Sequence, residues 1–143
     1  MSTRFDLQRF LDAQDGVYHD VIAELTAGQK RSHWMWFIFP QIRGLGQSET
    51  ARYFGIASRE EAVAYASHEI LGGRLRECTQ LVLSVTDRSM AEIFGHPDDL
   101  KFRSSMTLFS VCAPDASMFN AALGKYFDGN QDSKTLALLG RVC

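Results

Sequence analysis

The chain holds only three cysteines and three prolines, and what it lacks narrows its class before any motif is read. Cys78, Cys112 and Cys143 are odd in number, far apart and without a Cys-x-x-Cys spacing, which argues against a disulfide framework and a zinc ribbon. Such usage fits a reducing cytoplasm. Cys78 and Cys112 fall on apolar helical faces as small buried thiols do, and Cys143 at the very end reads as exposed. Long hydrophobic runs are missing too. The longest stretch without a polar residue, Trp34 to Pro40, is far short of the ~20 residues a bilayer-spanning helix needs, and the N-terminus leads into no signal-peptide hydrophobic region. A soluble, cytoplasmic protein without membrane contact is the expectation. Basic excess is also absent, since the net charge is −2. There is no global pull toward nucleic acid, and no helix carries the basic, polar face of a recognition helix.

The usual catalytic and metal-binding signatures are missing as well. His68-Glu69 is followed by Gly72 where a zincin would need its second histidine, and Gly44-Leu45-Gly46-Gln47-Ser48 is neither a phosphate-cradling lysine loop nor a dinucleotide fingerprint. No nucleophile elbow occurs. The histidines at 19, 33, 68 and 96 share no ligand spacing, so neither a metal nor a cofactor is expected. Asp98 and Asp99, adjacent at a helix start, read as capping residues rather than a catalytic carboxylate pair.

What is present is helical periodicity from end to end. With 143 residues and 45% hydrophobic composition, the chain fits one all-α, compact, multihelical domain over 1–143, burying about 68–70% of its unfolded surface. Val17, Val21 and Leu25 recur at four-residue spacing before Gly28. Ser58-Arg59-Glu60-Glu61 and Ser89-Met90-Ala91-Glu92 read as capping boxes. Leu71, Leu75, Cys78, Val82 and Val85 form one face of a helix four turns long. His96-Pro97-Asp98-Asp99 opens another helix with proline in first position, Ala113-Pro114-Asp115 closes it, and Asp132-Ser133 opens the last. The exception is an irregular, buried loop around residues 36–47, where an apolar block ends at Pro40 and is followed by Gly44-Leu45-Gly46.

That exception lies within the densest chemistry of the chain. From Leu25 to Ser48 there is no carboxylate, so Lys30, Arg31 and Arg43 give this stretch +3 against a chain total of −2, leaving about −5 for the remainder. Both tryptophans, Trp34 and Trp36, sit among these cations with His33 and Gln41. Indole faces stack flat rings and cations hold anionic groups, a combination used by nucleotide and single-strand binders. The competing reading makes Trp34 to Phe39 core and the cations a solvated collar. The two glycines before Ser48 read either as an anion seat or as a turn with an N-cap.

A second acid-free window, Leu100 to Pro114, places Lys101, Ser105, Leu108 and Cys112 on one arc of a helix while Arg103, Thr107 and Ser110 face away. An unpaired buried ammonium is costly, so Lys101 either snorkels past the helix end or enters a polar cavity. The expected site is therefore a basic and aromatic pocket for a phosphorylated or nucleotide-like, anionic small molecule. It is formed by Lys30, Arg31, His33, Trp34, Trp36, Gln41, Arg43, Lys101 and Ser105, with hydrolysis as an extension. The alternative is a non-enzymatic helical adaptor that binds a protein partner.

Several segments, in order, resemble the bacterial family known as domain of unknown function 1810. They are Phe5-Asp6-Leu7-Gln8-Arg9-Phe10, Lys30 to Gln41 with Gly44-Leu45-Gly46-Gln47-Ser48, and His68-Glu69-Ile70-Leu71-Gly72-Gly73-Arg74-Leu75. The likeness resumes at Ile93-Phe94-Gly95, runs through Asp99 to Phe109 and ends at Asp132 to Leu136. The resemblance implies a compact multihelical domain and brings no catalytic or binding residues with it. Some members carry the label calpastatin, a class built from disordered repeats, which the capped, core-rich pattern here does not fit.

Overall fold

The structure, a computed structural model, describes residues 5–141, and every regular element in that span is a helix. In order these are α1 (Gln8–Asp15), α2 (Tyr18–Thr26), α3 (Met35–Ile38), α4 (Glu49–Phe54), α5 (Arg59–Ser67), α6 (Glu69–Ser84), α7 (Met90–Phe94), α8 (Asp98–Cys112), α9 (Ser117–Phe127) and α10 (Ser133–Arg141). An isolated parallel pairing of Ile42 with Ile56 is the one β-like contact among the described residues. Among them, too, no helix is long and apolar enough to cross a membrane. Cys143 lies outside the described residues.

Helix α8 is the axis of the molecule, packing against α5, α7, α9 and α10. Its inward arc was legible in the spacing: Ser105, Leu108 and Cys112 are buried. The opposite face corrects the expectation, because Thr107 is also fully buried. Its hydroxyl donates to the Arg103 carbonyl (2.9 Å) and accepts the Asp132 amide (2.8 Å), since the chain entering α10 crosses over that face. Helical back-bonding of this kind lets short polar side chains sit in a core without an unpaired group.

The caps form largely as the sequence indicates. Ser89 and Glu92 exchange both hydrogen bonds of a capping box at α7. At α5 only half forms: Ser58 accepts from the Glu61 amide (3.1 Å), but the Glu61 carboxylate takes the Ala57 amide (2.7 Å) and the Arg9 guanidinium (3.0 Å). Pro97, expected as the first helical residue of α8, is instead its N-cap, and the helix starts at Asp98. His68 ends α5 and opens α6, its Nδ1 accepting the amides of Ile70 and Leu71 at 3.1 Å each.

The irregular stretch begins with the single helical turn of α3 and continues without regular structure to Ser48. Its first half is buried, at Ile38, Phe39, Pro40 and Ile42; from Arg43 the chain turns outward through Gly44, whose φ is 111°. Ser48 then caps α4, accepting the Ala51 amide at 3.1 Å.

Candidate functional site

The polar fringe of residues 30–34 is shaped by one carboxylate from α2. Glu24 accepts the amides of Arg31 (2.7 Å) and Ser32 (3.1 Å), the Ser32 hydroxyl (2.5 Å) and the Trp34 indole N–H (2.9 Å). Partial burial pushes its pKa up, but the donors from Ser32, Arg31 and Trp34 outweigh it and hold the carboxyl down at about 2. The acid-free stretch is thus folded around a carboxylate supplied from just outside it. Trp34, 1% exposed, packs with Phe94 and Phe39, and Phe39 meets Phe102 edge-on at 4.9 Å. The block from Trp34 to Phe39 is therefore mainly core, with Trp36 and Phe37 at its half-buried margin.

Above this aromatic wedge runs a chain of charges. The Lys30 ammonium, its side chain only 8% exposed, meets Asp98 Oδ2 at 2.9 Å and lies 5.2 Å from the Trp34 ring centroid. Asp98 Oδ1 faces the Lys101 ammonium at 3.4 Å, and Lys101 in turn sits 4.4 Å over the Trp36 ring. One carboxylate between two ammoniums leaves a local excess of one positive charge.

That excess borders a cleft of about 150 Å³ between the irregular stretch, α4 and the start of α8. Lys101, Trp36 and Gln41 line it together with Ile42, Leu45 and Phe54. Glycine makes the gap possible. A Cβ on Gly46 would stand 2.8 Å from the Ala51 Cβ, and one on Gly55 would stand 2.8 Å from Arg43 Cα, so α4 lies against the loop only because both side chains are missing.

Of the residues expected to form a site, Trp36, Gln41 and Lys101 meet at this cleft, and Lys30 stands one carboxylate behind them. Trp34 lies in the core. Arg31 and His33 are exposed and do not line the cleft. Arg43 reaches to the Gly55 carbonyl (3.4 Å) and borders a different groove. Ser105, one turn below Lys101, is fully buried and its Oγ has no hydrogen-bond partner.

Three residues escaped sequence reasoning. Asp98 read as a cap, although an acid three positions before Lys101 was a visible pairing signal. Glu24 had no signal, since its partners follow it by seven to ten positions. Arg9 is 7% exposed and donates to the carbonyls of Asp6, Tyr53 and Gly55 as well as to Glu61, anchoring α1 to the end of α4 and to α5. Among the described residues no group of three or more His, Cys, Asp or Glu side chains converges to hold a metal.

Comparison with known proteins bears on the whole of this arrangement. The chain matches the family model described as a protein of unknown function, DUF1810, over residues 4–139. Among solved structures it is similar to the conserved hypothetical protein Rv1873 from Mycobacterium tuberculosis. The two are 56% identical with a TM-score of 0.95, over 96% of this chain and 99% of that one. No curated protein matches it. With a family match running almost from end to end, the chain belongs to the DUF1810 family.

Proposed function

We propose that the cleft between Trp36 and Lys101 binds an anionic small molecule of the phosphorylated or nucleotide-like kind, with its flat ring inside and its anion at the mouth. The observation that carries this reading is the Lys101 ammonium, held over the Trp36 ring at 4.4 Å beside the opening, with Lys30 adding a second positive charge through Asp98. Lys101 already covers one indole face. An incoming ring would therefore rest against Ile42, Leu45 and Phe54, while Gln41 supplies a donor and an acceptor. A volume of about 150 Å³ admits one ring; an engineered cavity of about that size takes up benzene.

The lining favours binding over hydrolysis, because among the described residues Lys101 is its one titratable side chain and no acid–base pair lines the space. Surface character also favours the cleft over an adaptor role. The large exposed apolar side chains, Tyr53, Val63, Ile70, Leu100 and Leu136, sit one each on five helices, so no described helix offers an apolar stripe.

Thermal shift with single-ring carboxylates and nucleoside monophosphates tests the reading. Stabilisation by RT ln(1 + [L]/Kd), about 2.7 kcal/mol at a hundredfold excess over Kd, should vanish for the single-ring carboxylates and fall for the monophosphates in Lys101→Met, which keeps the apolar stem and removes the charge. No shift for any of these compounds at millimolar levels would sink it.

A further inference from the structure

We propose that a second groove, on the far side of the Ile42–Ile56 pairing from the cleft, binds a phosphorylated, ring-bearing metabolite of mononucleotide size through Arg43, Arg52 and Tyr53. This site does not depend on the cleft reading. The groove is open to solvent and has a volume of about 360 Å³, at the small end of the roughly 300–1,000 Å³ of small-molecule sites.

The two faces of α4 separate the spaces. Ala51 and Phe54, three apart, line the cleft, while Arg52 and Tyr53 line the groove. The groove floor carries little free charge, since Arg9 and Glu61 pair at 3.0 Å with both side chains buried and three further Arg9 N–H groups go to the backbone carbonyls of Asp6, Tyr53 and Gly55. What remains open is Arg43 and Arg52. Each makes one long hydrogen bond, Arg43 to the Gly55 carbonyl and Arg52 to Gln47 Oε1, both at 3.4 Å, and among the described residues neither has a carboxylate partner.

Two guanidiniums with unused N–H groups suit a phosphate, whose three terminal oxygens can engage both planar forks where a carboxylate has only two. Tyr53 is 56% exposed, far more than a ring of that size needs for packing, and offers a face to a flat ring. Asp6, also on the lining, is acceptor-only and suits the hydroxyl or N–H donors of a sugar or base. A phosphate, a ring and donor groups together describe a mononucleotide-like molecule. Arg43, which the sequence grouped with Lys101, belongs to this second constellation.

The test is an amide-resolved NMR titration of the full chain with adenosine monophosphate, adenosine and inorganic phosphate at low salt, repeated in Arg43→Ala, Arg52→Ala, Tyr53→Ala and Lys101→Met. These positions lie at the surface or mouth, and an unchanged spectrum away from the site confirms folding. The monophosphate is expected to shift Arg43, Tyr53 and Ala57 amides with a Kd near 1 mM or tighter, about tenfold tighter than either half-molecule. Either arginine variant should weaken it about tenfold, and Lys101→Met should leave it unchanged. Absence of shifts at about 10 mM, or an affinity indifferent to the arginine variants, overturns the proposal. Shifts confined to the cleft and lost in Lys101→Met would overturn it while leaving the cleft reading intact.

Discussion

At the scale of single residues, Glu24 orders the segment that leads into the candidate site. Its carboxylate collects four donors from residues 31–34 and so fixes the entry to α3. Because the folded pKa is depressed from 4.5 to about 2, the stability it contributes is present above about pH 4.5 and is lost as pH falls toward 2. Denaturant unfolding at pH 6 and pH 3 should therefore show the gap between the native protein and Glu24→Gln narrowing on acidification. Glu24→Ala should cost about 1–3 kcal/mol at neutral pH, since it strands the buried Trp34 indole N–H. A gap that stays constant with pH would remove the carboxylate from this role. The sequence announced the cations and indoles of this segment plainly, yet the acid that organises them was invisible because helix α2 delivers it from outside the acid-free window.

Among the elements, the joint between α5 and α6 is set by backbone proximity. A Cβ at Gly72 would fall 2.2 Å from the Ala66 carbonyl oxygen, whereas one at the neighbouring Gly73 meets open space. Gly72→Ala should thus destabilise by about 1–3 kcal/mol through overpacking against rigid backbone. Gly73→Ala, inside the same helix, should gain about 0.5–1 kcal/mol from helix propensity. Equal effects of the two substitutions on the unfolding midpoint would contradict the close approach. The α6 helix itself was readable from the Leu71 to Val85 stripe, although Val85 stands at the C-cap just past the last helical residue, and the Ser89 capping box was readable in full. The Ser58 box was readable only in half, because Arg9, 52 residues earlier in the chain, and the Ala57 amide take the Glu61 carboxylate. Local signals name an element's start reliably when its capping groups have no better partner elsewhere.

For the molecule as a whole, the buried thiols report on integrity. Burial pushes the Cys78 thiol up to about 12, the Tyr18 hydroxyl drawing it partly back, and Cys112 is buried as well. In a Cys143→Ser background, both should resist a thiolate-dependent reagent at pH 8 until denaturant unfolds the chain, and labelling should follow the same transition as helical circular dichroism. Labelling of Cys78 well before the helices melt would reveal an opening that the packing of α2 on α6 does not suggest. The all-α class and most helix starts from α2 onward were determined by the sequence itself, because periodicity, caps and breakers act over a few residues and need no partner; α1 and the turn of α3 were not read from it. Only the tertiary structure decided which polar groups belong together. Spacing along the chain grouped Arg43 with Lys101, but the turn at Gly44 and the body of α4 divide them between two spaces. Asp98, Glu24 and Arg9 took their roles from partners brought close by folding, and electrostatic interactions follow distance in space rather than in sequence.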